Sequence, residues 1–138
     1  MLEIINPSND PFFNLALEEY LLNNSEIKQD IFLLWQNCPV VVVGRNQNTI
    51  EEINQSFIQE KGIAVVRRIS GGGAVYHDMG NLNFTFIVND TPSLTLDFTR
   101  FTAPVIKALQ TIGVKAEDQG RNDISIKGRK FSGNAQCR

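Results

Sequence analysis

The sequence lacks the features that mark secreted and membrane proteins. Its 138 residues include only two cysteines, Cys38 and Cys137, which lie far apart and without metal-ligand spacing. This argues against a disulfide framework and favours a reducing compartment. No apolar stretch approaches the roughly 18 residues that cross a bilayer, and residues 1–10 have neither the basic nor the apolar part of a leader. We therefore expect a cytoplasmic protein.

The chain also lacks an excess of charge of either sign. Its net charge is −2, with 20% charged and 42% hydrophobic residues, an ordinary globular composition that fits one domain. Proteins that bind nucleic acids usually carry a basic face or stripe, and none is evident in this sequence. No internal repeat is evident either. The function must therefore lie in local motifs.

Helical spacing of apolar residues predicts three helices. The first runs from about Pro11 to Leu22, with Asp10 as its cap and Glu18 and Glu19 turned outward. Its apolar face consists of Phe13, Ala16, Leu17, Tyr20 and Leu21. The second runs from a Thr49–Glu52 capping box to about Gly62. The third runs from Phe98 to Ile112, where Asp97 is the cap, Gly113 the stop, and Pro104 a kink or a shortened start.

Short β-rich runs predict the strands. Ile31–Trp35 and Val40–Val43 are separated by four residues and suggest a hairpin of buried strands. The others are Ile63–Val66, Leu82–Val88, Val114–Ala116, Asp123–Ile126 and Arg129–Ser132. Their irregular alternation with helices predicts an α+β fold with a mixed, largely antiparallel sheet flanked by helices.

The most informative pattern is the run from Arg67 to Asp78, RRISGGGAVYHD. Three consecutive glycines allow close approach of a ligand and leave amide N–H groups free for an anion, and two arginines stand beside them. A P-loop is excluded because no Gly-Lys-Ser/Thr follows, and a dinucleotide fingerprint because a strand follows in place of a helix. The run predicts a phosphate-holding loop, with a simple tight turn as the alternative.

Several motifs in order extend this pattern along nearly the whole chain. They are Asn14-Leu15-Ala16 with Glu18-Glu19, Gly44-Arg45-Asn46-Gln47-Asn48, the 67–78 run, Gly80-Asn81 with Asn83-Phe84, Gly120-Arg121-Asn122-Asp123, and Lys130-Phe131-Ser132-Gly133-Asn134-Ala135. With them the sequence closely resembles lipoate–protein ligases of the A family, in the superfamily of biotin and lipoate protein ligases. The resemblance implies the catalytic-domain fold of that superfamily.

The resemblance also implies a reaction and its partners. Such ligases use ATP to convert lipoate to lipoyl-AMP and pyrophosphate, and then acylate a lysine of a lipoyl carrier domain. ATP and lipoate are thus the implied substrates, and Mg²⁺ the implied ion. The implied partners are carrier domains of 2-oxoacid dehydrogenase complexes or the glycine-cleavage H protein. The family continues beyond Arg138 with a strand bearing a His-Gly-Thr-type motif and further helices, so residues 1–138 correspond to a C-terminally truncated catalytic domain that a second chain could complete.

The implied site residues follow from matching positions. Lys130 matches the lysine that contacts both the α-phosphate and the acyl carbonyl, and Asp123 is a candidate for a magnesium contact or for orienting Lys130. Arg68 matches the arginine that faces the phosphates, and the stretch that lines the nucleotide is Gly73, Ala74, Val75 and Tyr76. The expected lipoate-binding residues are Lys130, Trp35, Val42, Val75, His77 and Leu15.

Two other functions remain open from the sequence. One is a cysteine-dependent octanoyl or lipoyl transferase with Cys137 as nucleophile, which would require a depressed thiol pKa. The other is a non-catalytic fragment that binds lipoate or a nucleotide. Biotin is disfavoured because the Gly-Arg-Gly-Arg-type loop of the biotin branch is absent.

Overall fold

A computed structural model describes residues 1–89, 98–118 and 122–137. It divides into two compact units, Met1–Asn89 with Cys137–Arg138, and Asp90–Gln136. The helices are α1 (Pro11–Asn23), α2 (Thr49–Glu52), α3 (Gln55–Lys61) and α4 (Phe98–Thr111). The strands are β1 (Leu2–Ile5), β2 (Ile31–Trp35), β3 (Val40–Val43), β4 (Ala64–Arg67), β5 (Val75–His77), β6 (Asn83–Ile87), β7 (Ala116–Asp118), β8 (Asp123–Ile126) and β9 (Arg129–Gly133).

The pairings confirm the predicted α+β class. Among the described strands, four pairings are antiparallel, and two, β1 with β2 and β3 with β4, are parallel. Within the three described ranges, no helix combines the length and apolarity needed to cross a bilayer.

The first unit contains two three-stranded sheets, ordered β1-β2-β6 and β4-β3-β5. The predicted hairpin of β2 and β3 is wrong, because these strands are the centres of different sheets. Their predicted burial is confirmed, since Leu33 and Val40 are fully buried. A central strand is covered on both faces and therefore reads as a continuous apolar run, whether or not its neighbour in sequence pairs with it.

Helix α1 begins as predicted, with Asp10 accepting a hydrogen bond of 2.9 Å from the Phe12 N–H. Its predicted faces are correct only in part. Leu21 is buried and Glu19 exposed as predicted, but Phe13 and Tyr20 are 51% and 62% exposed and Glu18 is half-buried. The packed face also includes buried Asn14, a polar residue that finds its partners inside.

The predicted second helix is interrupted. The backbone is extended at Ile53 (φ −128°, ψ 148°), and Asn54 caps α3 by accepting from the Phe57 N–H. The Thr49–Glu52 capping box is wrong, since Thr49 lies inside α2 and its hydroxyl accepts from Arg67. Gly62 ends α3 as predicted, in the left-handed conformation (φ 61°).

The second unit packs α4 with the meander β7-β8-β9. The helix includes Pro104 and begins well before it, so the expected shortened start is wrong; the proposed cap Asp97 lies outside the described residues. Lys127 and Gly128 both have positive φ and form the two-residue turn between β8 and β9. The register shifts opposite Ile124 and Ser125, where Phe131 is left as a bulge.

Candidate active site

The glycine loop connects β4 to β5 and lies against a second loop, which here means residues 44–48 after β3 together with the first residue of α2. Among its three glycines only Gly72 has a positive φ (101°), so only there does the backbone require glycine. A Cβ on Gly44 would overlap the carbonyl oxygen of Gly72, and the Arg45 N–H donates to the Ser70 carbonyl at 2.9 Å. The two loops therefore touch through their backbones.

Arg67 fastens the 44–49 loop. Its Nη1 donates to the carbonyls of Gly44 (2.8 Å), Arg45 (3.1 Å) and Gln47 (2.8 Å), and its Nη2 donates to the Thr49 hydroxyl at 2.7 Å. These bonds occupy the guanidinium, so of the adjacent arginines this one is structural.

Arg68 lies beneath the glycine loop. Its Nη2 donates to the carbonyls of Gly71 (2.9 Å) and Gly73 (2.8 Å), its Nε donates to Gly71, and its Nη1 donates to Val42 at 3.3 Å. Burial lowers the pKa of Arg68 from its ordinary value, and the Glu18 carboxylate opposes that shift. A guanidinium nevertheless stays charged in proteins, so the loop is built around a fixed cation.

The amide N–H groups of the three glycines, unlike the carbonyls of Gly71 and Gly73, make no hydrogen bond within the described part of the chain. The carbonyls of Gly71 and Gly73 are turned to Arg68. A Cβ on Gly71 or Gly73 would meet nothing within 4 Å. Unpaired consecutive amides beside a cation, with open space around them, form a concavity suited to an anion.

Glu18 joins this region through a chain of hydrogen bonds. Trp35 Nε1 donates to the Thr85 hydroxyl (3.1 Å), and that hydroxyl donates to the Glu18 carboxylate (2.7 Å). Burial raises the pKa of Glu18, while the Thr85 bond and the charge of Arg68 oppose the rise. The prediction that Glu18 faces outward is therefore wrong. Glu18 is a half-buried carboxylate whose charge stabilises the charged form of Arg68.

His77 ends a second polar network, composed of asparagines. Asn6 Nδ2 donates to Asn14 Oδ1 (2.7 Å), Asn14 Nδ2 donates to Asn37 Oδ1 (2.9 Å), and Asn37 Nδ2 lies 3.2 Å from His77 Nδ1. Burial and, to a smaller extent, the charge of Arg68 lower the pKa of His77, and Asp78 opposes them. The imidazole is therefore held in its neutral form near pH 7.

The second unit carries Lys130 and Asp123, whose Nζ and Oδ1 lie 2.8 Å apart. Asp123 Oδ1 is buried and has no other donor among the residues described. The bulge at Phe131 brings Gly133 to the face of the hairpin that carries this pair. Lys130 pairs with Ser125 and Gly133 pairs with Asp123, so Lys130 and Gly133 both lie on the hairpin face that carries Asp123. In a regular strand, residues 130 and 133 would lie on opposite faces.

Gly133 leaves the space that Lys130 occupies. A Cβ there would lie 3.1 Å from Lys130 Cε and 3.2 Å from its Nζ. Asn122 and Asn134 close the end of the β8–β9 hairpin, each donating a 2.8 Å bond from its side-chain amide to the other's carbonyl. The lysine is thus directed by its neighbours.

The expected lipoate-lining residues all belong to the first unit. Trp35 and Val42 are buried, Leu15 packs against the clusters that contain them, and Val75 pairs with Val42 across β3 and β5. The Trp35 and His77 rings meet edge-on with centroids 6.3 Å apart. The structure brings these residues close to the glycine loop but leaves Val75 43% exposed.

An open groove of about 640 Å³ lies elsewhere in this unit, between α2, α3 and the outer face of the β4-β3-β5 sheet. Of the expected site residues, it includes only Tyr76. The groove is therefore separate from the loop and its hydrogen-bond networks.

Comparison with known proteins accounts for this arrangement. Residues 10–138 match the family described as the lipoyl protein ligase A/B catalytic domain. The chain belongs to this family. It is 56% identical over 128 residues to lipoate-protein ligase LplJ of Bacillus subtilis and 53% identical over 133 residues to lipoate–protein ligase 1 of Staphylococcus aureus. These alignments cover 93% and 96% of the chain but 39% and 40% of the relatives, so the chain spans about two fifths of their length.

Solved structures of this family have the same fold. One is a bipartite lipoate protein ligase with its E2 lipoyl domain, from Thermoplasma acidophilum. The match covers 99% of this chain and 56% of the chain in that structure, with a TM-score of 0.88 at 28% identity. LipL1 of P. falciparum in complex with lipoate matches 96% of the chain and 42% of its own, with a TM-score of 0.83 at 35% identity. Lipoate-protein ligase A bound with ATP matches all of the chain and 60% of its own, with a TM-score of 0.83 at 26% identity.

Sequence reasoning missed what several residues do around the glycine loop in the first unit and around Lys130 in the second. Asn37 follows a buried strand and gave no signal of its own. Gly44 and Gly133 stood within recognised motifs, but the sequence does not show why glycine is needed there. A Cβ would meet backbone at Gly44 and the Lys130 side chain at Gly133, which is visible only in three dimensions. Glu18 stood in a motif too, and its pairing with Thr85 joins residues 67 positions apart.

Proposed function

We propose that this chain activates lipoate with ATP to give lipoyl-AMP, and that the lipoyl group then passes to a lysine of a lipoyl carrier domain. The observation that carries the proposal is the glycine loop, where three amides without acceptors surround a fixed cation. Adenylation brings a carboxylate to a triphosphate, so catalysis consists mainly of alignment and neutralisation of negative charge. The loop supplies both without a side chain in the way.

Within this proposal Gly73, Ala74, Val75 and Tyr76 line the nucleotide, and Arg68 adds positive charge behind them. Arg68 acts by holding the Gly71 and Gly73 carbonyls, which turns the intervening amides away from it. The relatives solved with ATP and with lipoate support this choice of substrates.

Lys130 is proposed as the catalytic cation. Its ammonium contacts the α-phosphate and the acyl carbonyl, and the Asp123 carboxylate at 2.8 Å holds it before substrate arrives. A compact charge on a flexible stem suits contact with two oxygens. Trp35, Val42, Val75, His77 and Leu15 are proposed to contact the lipoyl group.

Magnesium fits this site as a companion of ATP. In the described part of the chain no three His, Cys, Asp or Glu side chains gather, and Asp123 is already paired with Lys130. Nucleotide sites bind Mg²⁺ through one or two carboxylates and the substrate phosphates. The ion would neutralise phosphate charge, and we assign Asp123 mainly to orienting Lys130.

The cysteine-dependent transferase is the weaker candidate. Burial, and then the charge of Glu18, raise the pKa of the Cys137 thiol, and Arg45 only partly opposes them. A nucleophilic cysteine needs the opposite shift. If Cys137→Ser keeps ATP-dependent adenylation, the transferase is excluded.

The test is release of pyrophosphate and formation of lipoyl-AMP by this chain with lipoate, ATP and Mg²⁺. Lys130→Ala should reduce the rate by about a hundredfold or more and leave the fold intact, and Lys115→Ala is the control for loss of a lysine charge in the same unit. Normal adenylation by Lys130→Ala would contradict the assignment. Binding of both substrates without pyrophosphate release would favour a non-catalytic binding fragment. Transfer of the lipoyl group to a carrier domain is measured in a separate assay.

A further inference from the structure

Asn37 links the asparagine network to the chain's single histidine. It is fully buried, two residues after the end of β2, and its two side-chain ends face different partners. Asn14 Nδ2 donates to its Oδ1 at 2.9 Å, and its Nδ2 lies 3.2 Å from His77 Nδ1. Which end faces which partner decides where the histidine carries its proton.

The orientation of the network follows from its fixed acceptors. Besides Asn37, the Asn14 amide faces the carbonyls of Ser8 (3.1 Å) and Gln36 (2.7 Å). Backbone carbonyls only accept, so the group that faces them is the Asn14 NH₂. The same NH₂ then meets the oxygen of Asn37, which leaves the Asn37 NH₂ to face the ring.

This order leaves one role for His77 Nδ1. Facing an obligate donor, Nδ1 must be an acceptor, and the ring proton lies on Nε2. Nε2 has no hydrogen-bond partner among residues 1–89, 98–118 and 122–137. The charged groups that act on the ring are Arg68 and Asp78, and the Trp35 ring packs against it edge-on.

We propose that Asn37 is a positioning residue that fixes His77 as the neutral Nε2–H tautomer, so that His77 donates a hydrogen bond and does not accept a proton. The acceptor, and here the inference rests on the proposed function, is an oxygen of the acyl adenylate. A nitrogen that carries the proton has no lone pair for the incoming lysine amine, and the other nitrogen is occupied by Asn37. His77 therefore stabilises the ligand without acting as the general base.

Nitrogen NMR tests the tautomer directly, because a chain labelled with ¹⁵N-histidine gives signals from one ring only. Above its pKa, His77 should show a bare, pyridine-type Nδ1 and a protonated, pyrrole-type Nε2. A protonated Nδ1 in the unmodified chain, or rapid averaging of the two nitrogens, would overturn the proposal.

Substitution of Asn37 tests its causal role. In Asn37→Asp both side-chain oxygens accept, so Nδ1 should become protonated and the His77 pKa should rise. Gln36→Glu places the same charge one residue away without contact to the ring, so it can raise the pKa by charge alone but should keep Nδ1 bare above that pKa. If Asn37→Asp does not fold, Asn37→Ser, whose hydroxyl donates or accepts, should give a mixture of tautomers. Retention of the Nε2–H tautomer in whichever of the two Asn37 variants folds refutes the role of Asn37.

A non-hydrolysable lipoyl-adenylate analogue tests the donor role. Its binding should shift the Nε2 and Nε2–H resonances and leave Nδ1 bare. Binding shown by calorimetry without a change at Nε2 would overturn the donor role. Absence of any binding would instead contradict the proposed function, while the tautomer measured in the free chain would still decide whether Asn37 fixes it.

Discussion

Gly44 and Gly72 hold two loops together at a point where no side chain fits, because a Cβ on Gly44 would overlap the Gly72 carbonyl oxygen. The neighbour is backbone and cannot rotate away. Arg67 and the Arg45–Ser70 hydrogen bond fasten the same pair of loops on either side.

Gly44→Ala should therefore separate the loops. Overpacking of this kind costs about 1–3 kcal/mol, and displacement of Gly72 should also disturb the amides that we propose for ATP. Urea unfolding should show the loss of stability, and calorimetry a weaker affinity for ATP. An unchanged unfolding midpoint would show that the contact is looser than the structure indicates.

Gly73→Ala should affect ligand binding without affecting the fold. Its Cβ meets nothing within 4 Å, and the residue does not have a positive φ, so stability should stay equal or rise by up to about 1 kcal/mol. If the loop lines the nucleotide, the added methyl group lies in the ligand's space, and ATP affinity should fall by about tenfold or more, equivalent to about 1.4 kcal/mol.

Gly71→Ala is the comparison for that change. Its Cβ is equally unobstructed, and its amide belongs to the proposed anion site, but it lies before the stretch assigned to the nucleotide, so its ATP affinity should fall less than that of Gly73→Ala. Wild-type ATP binding by Gly73→Ala would remove the loop from the nucleotide site.

Gly133→Ala should displace Lys130. The new Cβ would lie 3.1–3.2 Å from the end of the lysine side chain, which is flexible and can move, so the unfolding free energy should hardly change. A misplaced catalytic group can reduce rate by about a hundredfold. Stopped-flow release of pyrophosphate measures this, with Ser132→Ala as the control on the same strand, and full activity of Gly133→Ala would show that the position of Lys130 before catalysis is unimportant.

Glu18→Gln should change how stability depends on pH. Burial raises the pKa of Glu18 above its ordinary value of 4.5, so the folded state favours the protonated carboxyl. The resulting stabilisation is full below 4.5 and is lost as the pH rises through the folded-state pKa. The glutamine keeps an acceptor for Thr85 and carries no charge, so the stability of the variant relative to the unmodified chain should increase across that window.

Urea unfolding at a series of pH values measures this difference, from which the contribution of His77, common to both proteins, cancels. Glu19→Gln is the control, because Glu19 is the exposed neighbour on α1. A flat difference for Glu18→Gln would mean that Glu18 is solvated like Glu19.

The sequence predicted those features whose cause is local. The start of α1 follows from Asp10 and Pro11, the end of α3 from Gly62, and the strands from their β-branched runs. The pairing of β2 and β3 could not be predicted, because four intervening residues allow a hairpin as well as a passage between sheets. The faces of α1 were predicted only in part, since Leu21 is buried as expected but Asn14 is buried too. The burial of Asn14 could not be predicted because two of its partners, Gln36 and Asn37, lie more than twenty residues away.

The candidate site residues divide in the same way. Sequence motifs indicated Arg68, the glycine loop, Asp123 and Lys130 as candidates, since these residue types in order are visible in the sequence alone. The division of labour between Arg67 and Arg68 was not visible, because adjacent arginines look equivalent until one is seen bonded to the 44–49 carbonyls and the other to Gly71 and Gly73.

The bulge at Phe131 decides which residue of β9 stands beside Lys130. Lys130 pairs with Ser125 on the turn side of the bulge, so it faces Asp123 whether or not the extra residue is present. The bulge places Gly133, and not Ser132, opposite Asp123, where a Cβ would lie 3.1 Å from Lys130 Cε. Replacing Phe131 by another residue keeps this register, whereas one more residue inserted after Phe131 would place Ser132 opposite Asp123 and turn Gly133 to the far face. In a library of variants of this chain, we therefore expect diverse side chains at position 131 among the active members and no single-residue insertion there.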